Sequence, residues 1–433
     1  MGQADGEDTG IAVREAGGCR WVGDDHGGPG ELMSPLLGLA LVPLLLVGVV
    51  AGLRRPLGLL LPAYAASVPF GSLLSTGLSP PYDSISTPLG MLLIVGLGSQ
   101  AIFGRTVGAR FPRTVPVWLL YLGVAGMTAA WSVSAQLTEV AFRNLALLVI
   151  LYFLLSLTPL TIRELRRVET GLVVGGVAAA CYGIFQFVTG TLPVDPEAGD
   201  AGRFGRDLLG ANNTAAALLV PFAIAWCRAA AGTSPLGRRA HAAAVGTILF
   251  GILLTGSRGG LLATAVCIGV AIAFTERGRA SMIRFAATTL VVASVVLVVQ
   301  PGGIAGRTDS TSSSGRSDVW KVGLYACRTY CVQGSGWGTF ARVYQQEQPK
   351  VRDARVLGRG VAYEAHNIFL LIAIEAGLAG LALALIGFVL TMREGLRLPR
   401  YLRAPPLAGV ISTLAAGFFL SNFEYKFFWM MLM

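Results

Sequence analysis

The stretch HNIFLLIAIEAGLAGLALALIGFVLT, residues 366–391, contains one acidic residue, Glu375, and neither lysine nor arginine. A helix needs about 20 apolar residues to cross the hydrocarbon core of a bilayer, so this run is long enough to span it. Similar runs recur along the 433 residues, of which 54% are hydrophobic and 13% charged. The sequence therefore predicts an all-α, polytopic bundle of transmembrane helices.

We predict about twelve spans from these runs. They lie at 33–53, 57–75, 88–103, 115–131, 143–159, 168–189, 211–227, 241–256, 259–275, 284–300, 366–391 and 404–421. Four segments follow in chain order: an acidic, disordered tail (1–31), the first ten helices (32–300), one long external loop with a short helix (301–365), and the C-terminal transmembrane helices (366–433). The tail has no signal-peptide pattern, and it is equally well explained as an upstream extension of a protein that starts at Met33.

Arginines occur in every second connection between the predicted spans, which predicts that these connections face the cytoplasm. They are Arg54/Arg55, Arg105/Arg110/Arg113, Arg163/Arg166/Arg167, Arg228/Arg238/Arg239, Arg277/Arg279/Arg284 and Arg393/Arg397/Arg400/Arg403. The remaining connections, including the turn at Ser257-Arg258 and the loop 301–365, are then exterior. The net charge of +10 reflects this topology, so we infer membrane lipids as partners and no nucleic acid.

The composition of the external loop changes along its length. A polar run, 309–315, precedes a segment in which Trp320, Leu324, Cys327 and Cys331 recur at helical spacing. We expect this apolar face to lie on the bundle or at the lipid surface. Because a helix already fixes two cysteines one turn apart, we expect no disulfide between Cys327 and Cys331.

Arg258 and His366 lie where predicted spans meet the exterior water, and polar groups at such positions usually serve a site. Arg258 precedes Gly259-Gly260, where backbone can approach a ligand closely. His366 is the one histidine on the exterior side of the predicted membrane frame, because His241 is cytoplasmic and His26 lies in the tail. At the start of a helix the dipole disfavours the imidazolium, so a neutral imidazole able to accept a proton is expected.

These residues also carry a resemblance. Arg258 followed by Leu262, and His366-Asn367 followed by Gly377-x-x-Gly380, resemble the signature of the O-antigen ligase family of bacterial membrane glycosyltransferases, which includes polysaccharide polymerases. Three further elements match in family order: Arg203-Phe-Gly-Arg206 ahead of Asn213, Gly315-Arg316-x-x-x-Trp320, and Glu375-Ala-Gly377. Ala211-Asn212 stands where the family has Asn-Pro, so either Arg203 or Arg206 is the matching arginine.

The resemblance implies transfer of a glycan from an undecaprenyl-diphosphate carrier to an acceptor hydroxyl, on a glycan or lipid glycan, at the outer face of the cytoplasmic membrane. His366 is then the general base, and arginines hold the diphosphate because their planar donors match its oxygens. The candidate substrate-binding residues are Arg258, Arg316, Arg203, Arg206, Asn367, Asn213 and Glu375. Glu375 could equally be a buried structural acid.

No clustered Asp/Glu/His set accompanies these residues in the sequence, so we expect a metal-independent, inverting reaction without a cofactor. A lipid-linked oligosaccharide flippase or other transporter is the alternative, since it would also have a dozen spans and buried arginines. We find no internal repeat of the kind that transporters often show. Ligase and polymerase cannot be separated by these motifs, because both use the same donor.

The alternating arginines predict which connections an impermeant thiol reagent reaches. In a cysteine-free background, Ser313→Cys is expected to be labelled in intact cells and Arg238→Cys only after the cells are permeabilised. Labelling of Arg238→Cys but not of Ser313→Cys in intact cells would invert the topology.

Overall fold

The computed structural model describes residues 48–76, 82, 84–103, 111–194, 202–232, 234–275, 279–299, 315–352, 354 and 364–433. Over these residues the chain forms fifteen helices and no strand, which confirms the all-α class. In chain order they are α1 Pro56–Leu74, α2 Ser86–Ile102, α3 Thr114–Met127, α4 Ala135–Leu157, α5 Ile162–Thr189, α6 Ala211–Ala217, α7 Leu219–Ala231, α8 Pro235–Leu254, α9 Arg258–Phe274, α10 Arg279–Val299, α11 Arg316–Tyr330, α12 Phe340–Glu347, α13 Ile368–Arg397, α14 Arg400–Gly417 and α15 Lys426–Leu432.

Six helices in the described part of the chain are long and apolar enough to cross a membrane. They are Pro56–Leu74, Thr114–Trp131, Ala135–Leu157, Ile162–Thr189, Ala211–Ala230 and Ile368–Arg397. The other predicted spans from residue 88 onward also coincide with helices, whereas most of the span predicted at 33–53 and the whole tail 1–31 lie outside the described residues. The count of twelve stays a prediction.

The external loop contains two helices, α11 and α12, where the sequence predicted one. Helix α11 packs on α13 through Val319, Val322 and Ala326, which are all buried. The predicted face is not the one that packs on α13, because Leu324 on it is 64% exposed, although Cys331 at its end is buried. Contact of this face with lipid stays a prediction. The expectation about the cysteines was wrong, because Cys327 and Cys331 form a disulfide at the end of this helix.

The glycine-rich turn that follows α11, residues 334–338, is hydrogen-bonded to α13 where that helix is broken. Gly377 has φ +72° inside the helix, a conformation that favours glycine, and a Cβ there would lie 2.7 Å from the carbonyl oxygen of Val332. Backbone groups on both sides of the break bond to residues after α11: the N–H of Leu378 donates to the carbonyl of Cys331 (2.7 Å), and the carbonyl of Ile374 accepts from the N–H of Ser335 (2.8 Å). The turn is thereby bonded directly to the middle of a predicted span.

The C-terminal residues fold back into the bundle instead of leaving it. Helix α15 is too short to span, and its Phe428 and Trp429 are fully buried. Trp429 packs edge-on against Trp118 of α3, with ring centroids 5.3 Å apart. At the start of α15, the Lys426 ammonium donates to hydroxyl groups of the connection before α2 and its first turn: Ser84 (3.3 Å), Ser86 (2.9 Å) and Thr87 (2.6 Å). Residues 418–425, which connect α14 to α15, therefore lie at the end of α14 and beside the start of α13.

Candidate functional site

The turn between α8 and α9 presents Arg258. Ser257 caps α9 by accepting a hydrogen bond from the N–H of Gly260 (3.1 Å), and Arg258 is the exposed first residue of the helix. The two glycines that follow are buried against Phe419 and Ala215, so they serve the packing of α9 on its neighbours and not the approach of a ligand. Arg258 itself lies at the exterior edge of the predicted membrane frame.

Arg203 supports this turn from the segment that precedes α6. Its Nε–H donates to the carbonyl of Thr255 (2.8 Å), and a terminal N–H donates to Oδ1 of Asn212 (3.1 Å). Burial, together with the positive charges of Arg206 and Arg316, lowers the pKa of Arg203 to about 10. Both arginines that the sequence left as alternatives therefore lie in one electrostatic neighbourhood.

Arg316 links this neighbourhood to the external loop and to His366. It is the half-buried first residue of α11, and its pKa is lowered by burial and then by the positive charge of Arg258. One turn later, the indole N–H of Trp320 donates to the carbonyl of Ala365 (3.1 Å). Helix α11 is thereby tied to the residue that precedes His366.

His366 is held in an unusual backbone conformation just before α13. Among the described residues it is the one non-glycine residue with positive φ, at +48°. Such a conformation costs about 1–3 kcal/mol and is concentrated at functional sites. The backbone N–H of His366 donates to Oγ of Ser421 (2.9 Å), which fixes it to the segment between α14 and α15.

The imidazole of His366 is neutral at pH 7. Burial lowers its pKa to about 4, and the positive charge of Arg316 adds to this effect. Its Nδ1 is buried without a hydrogen-bond partner among the described residues. A neutral ring with an unused nitrogen is able to accept a proton or a hydrogen bond from a ligand.

The other predicted substrate-binding residues, Asn367, Glu375 and Asn213, also have partners within the protein. Oδ1 of Asn367 caps α13 by accepting from the N–H groups of Phe369 and Leu370 (both 3.0 Å), and its amide group donates to Phe418 (3.3 Å). The carboxylate of Glu375 accepts from the N–H groups of Gly338 (3.0 Å) and Phe340 (2.8 Å). Asn213 is buried and shares a hydrogen bond with Tyr425. The geometry of Asn367 and Glu375 favours a supporting role, because these bonds position His366 and the glycine-rich turn.

The structure therefore brings together the predicted arginines and the predicted base: Arg203, Arg206, Arg258, Arg316 and His366. Within the described residues, no group of three or more His, Cys, Asp or Glu could hold a metal ion. Several guanidinium groups within electrostatic range of one another suit an anion with several oxygens. The neutral imidazole beside them suits proton transfer.

Fold and site together define a multi-pass helical membrane protein with a cationic site at the ends of its helices. Residues 243–385 match the model of the O-antigen ligase family. No curated protein matches the chain. The matched segment includes Arg258, Arg316, His366, Asn367 and Glu375, so the resemblance is confirmed there, while Arg203, Arg206 and Asn213 precede it. The match supports a membrane protein that ligates or polymerises glycans.

The segment between α14 and α15 contributes to the candidate site, which the sequence did not predict. Ser421 bonds His366, and Tyr425 bonds Asn213, yet the sequence placed all of 366–433 among the C-terminal transmembrane helices. The available signal was the set of polar residues Ser421, Asn422, Glu424 and Tyr425 after an apolar run.

The lowered pKa of His366 gives a direct prediction. With His26 and His241 replaced, NMR of ¹³C-labelled histidine is expected to give a pKa near 4 for the remaining imidazole. Arg316→Gln removes a neighbouring positive charge, so the pKa is expected to rise towards its ordinary value. Lys321→Gln, on the same helix and in an ion pair with Asp318, is the matched control and should leave it unchanged. An equal pKa of His366 in wild type and in Arg316→Gln would contradict the placement of Arg316 near His366.

Proposed function

We propose that this protein transfers a glycan from an undecaprenyl-diphosphate carrier to an acceptor hydroxyl at the outer face of the cytoplasmic membrane. The observation that carries this proposal is the meeting of four arginines with one neutral histidine at the ends of membrane helices. The match of residues 243–385 to the O-antigen ligase family supports the same class of reaction.

The arginines are proposed to bind the diphosphate of the donor. Arg203 and Arg316 both have lowered pKa values, for which burial and neighbouring arginine charges are the causes. Like charges in a partly buried site repel, so an anion between them relieves an existing cost. The leaving diphosphate gains negative charge as the glycosidic bond breaks, and fixed guanidinium groups stabilise that charge without a metal ion.

His366 is proposed to take the proton from the acceptor hydroxyl. Its neutral ring has an unused nitrogen, and its strained backbone is fixed by the bond to Ser421. A bound diphosphate offsets the charge of Arg316, which raises the pKa of His366 and makes it a stronger base. Attack of the acceptor opposite the diphosphate inverts the anomeric carbon. Ligase and polymerase both fit this site, because they differ in the acceptor and not in the donor.

Replacement of Arg258 tests the diphosphate site. Arg258→Lys keeps the charge but loses the planar fork of donors, so transfer is expected to fall on the order of 10- to 100-fold, and Arg258→Ala at least as far. Rates are measured with purified protein, a synthetic undecaprenyl-diphosphate glycan and an acceptor.

The matched control is Arg143→Lys, because Arg143 is an exposed arginine on α4 paired with Glu139, which a lysine also pairs with. If a normally inserted Arg258→Lys variant transfers glycan at the wild-type rate, Arg258 only anchors the turn at the lipid headgroups.

Replacement of His366 separates an enzyme from a flippase. His366→Ala is expected to lose on the order of 10² to 10⁴ in rate, with the donor still bound and therefore accumulating in cells. The assay is run in detergent, which abolishes sidedness and hence transport but leaves transfer intact. A chelator is expected to leave the rate unchanged.

Equal transfer by wild type and His366→Ala, or no transfer by either with any plausible acceptor, would remove the base assignment. Donor retained on the inner leaflet of cells carrying His366→Ala would favour a flippase instead.

A further inference from the structure

An open cleft of about 620 Å³ lies between the starts of α1 and α5, at the edge of the bundle that the arginine pattern assigns to the cytoplasm. Its lining consists of Arg55, Thr161, Ile162, Arg163, Glu164 and Arg167. Sites for organic molecules in proteins have volumes of about 300–1,000 Å³, so the cleft has room for more than one small inorganic ion. Its arginines favour a ligand with negative charge.

Close packing of α1 on α5 forms the inner wall of this cleft. A Cβ on Gly171 of α5 would lie 2.5 Å from the carbonyl oxygen of Pro62, and a Cβ on Gly58 of α1 would lie 3.1 Å from a terminal nitrogen of Arg167. Residue numbers rise together along this contact, so the two helices run parallel and both begin at the cleft. The guanidinium of Arg167 is thereby held between the two helices.

The arginines of the cleft have no partner within the protein. In the part of the chain that the structure describes, no hydrogen bond or ion pair engages the side chain of Arg55, Arg163 or Arg167. Another arginine on the same side of the predicted frame, Arg228, pairs with Glu169. Three like charges that share one cleft repel one another, so an anion bound there is stabilised by all of them.

Glu164 is the one acid in the lining, and the start of α5 uses its carboxylate. Oε2 of Glu164 accepts hydrogen bonds from the backbone N–H (2.9 Å) and the hydroxyl (2.7 Å) of Thr161, which caps the helix. Three arginines therefore face one engaged carboxylate, and the lining keeps an excess of positive charge. The positive ends of the two helix dipoles add to that excess.

Exposed apolar side chains adjoin the arginines and indicate which kind of anion the cleft takes. Ile162 in the lining is 54% exposed, and Leu59, next to Gly58 on α1, is 48% exposed. A soluble phosphate compound would leave these side chains in water, whereas an acyl chain would cover them. Guanidinium groups beside exposed apolar residues at the edge of a membrane bundle match a lipid with a phosphate headgroup.

We propose that this cleft binds the phosphodiester headgroup of an anionic phospholipid from the cytoplasmic leaflet. Arg163 and Arg167 lie one turn apart on α5 and donate to the phosphate oxygens from one side, and Arg55 donates from the start of α1. Leu59 and Ile162 contact an acyl chain. The bound lipid fastens the start of α5 to that of α1.

The lipid site is separate from the candidate site for glycan transfer. Helix α5 has 28 residues and is therefore about 42 Å long at 1.5 Å per residue. The cleft lies at its start, whereas the arginine-bearing segment lies beyond its end, where the backbone N–H of Arg203 donates to the carbonyl of Pro193 (3.0 Å). Lipid binding here does not depend on the proposed reaction.

Lipid binding to the purified, detergent-solubilised full chain tests the proposal. Native mass spectrometry measures the fraction of protein that carries phosphatidylglycerol, cardiolipin or phosphatidylcholine. Wild type is expected to bind at least one of the two anionic lipids about tenfold more tightly than phosphatidylcholine, and the double variant Arg163→Gln/Arg167→Gln is expected to lose that preference. Equal affinity of wild type for all three lipids would overturn the proposal.

The matched control is the double variant Arg54→Gln/Arg166→Gln. Arg54 and Arg166 are exposed arginines adjacent in sequence to lining residues, but neither lines the cleft. Both double variants remove two positive charges from the same two connections, so general attraction to anionic lipids falls equally. The control is expected to keep the lipid preference of wild type. Equal loss in both variants would reduce the effect to overall charge and rule out a specific site.

Two measurements on wild type do not depend on how the variants insert. A phosphatidylglycerol with a photoactivatable acyl chain is expected to cross-link within 55–62 or 160–167, and cross-links confined to other segments would contradict the site. Excess glycerol phosphate is expected to leave the bound lipid in place, because it cannot cover Leu59 and Ile162. Displacement of the lipid by glycerol phosphate would assign the cleft to a soluble phosphate compound instead.

Discussion

Repulsion among arginines is the constraint on which the rest of the site depends. Guanidinium groups gathered at the end of a helical bundle push apart unless the backbone fixes them, and the chain provides that fixation from three directions. Arg203 is bonded to the carbonyl of Thr255, Arg258 begins a helix capped by Ser257, and Trp320 ties the helix of Arg316 to Ala365. Under the proposed function, the free energy of this repulsion is available to bind the diphosphate, so rigid supports matter more than additional charges.

The sequence predicted the helical class and singled out the arginines and the histidine, because hydropathy and the position of charges along a chain report on the membrane directly. The side of the membrane on which they lie stays a prediction. The sequence could not predict how α11 faces the bundle, since Leu324 and Val319 are both apolar and periodicity alone does not say which side is covered. Nor could it predict the break at Gly377, because a glycine inside an apolar run is compatible with a continuous helix. Both features depend on contacts between segments far apart in sequence.

The Gly-x-x-Gly element shows how a signature residue can act at a distance from the chemistry. The positive φ of Gly377 opens α13 to the glycine-rich turn, and the carboxylate of Glu375 bonds the N–H groups of that turn. Helix α11 is thus fixed at both ends, by this turn and by the bond from Trp320 to Ala365. These bonds keep the relative positions of Arg316 and His366 constant even though the two residues lie on separate elements. The spacing between His366 and Gly377 therefore reflects how α13 supports α11.

Under the proposed function, the charge of the site also controls when His366 acts as a base. In the absence of an anion, burial and Arg316 hold the pKa of His366 near 4, so the ring accepts a proton poorly at neutral pH. A diphosphate between the arginines cancels part of that field and raises the basicity of the ring. Under the proposed function, a hydroxyl or a water molecule is then activated only after the donor has bound.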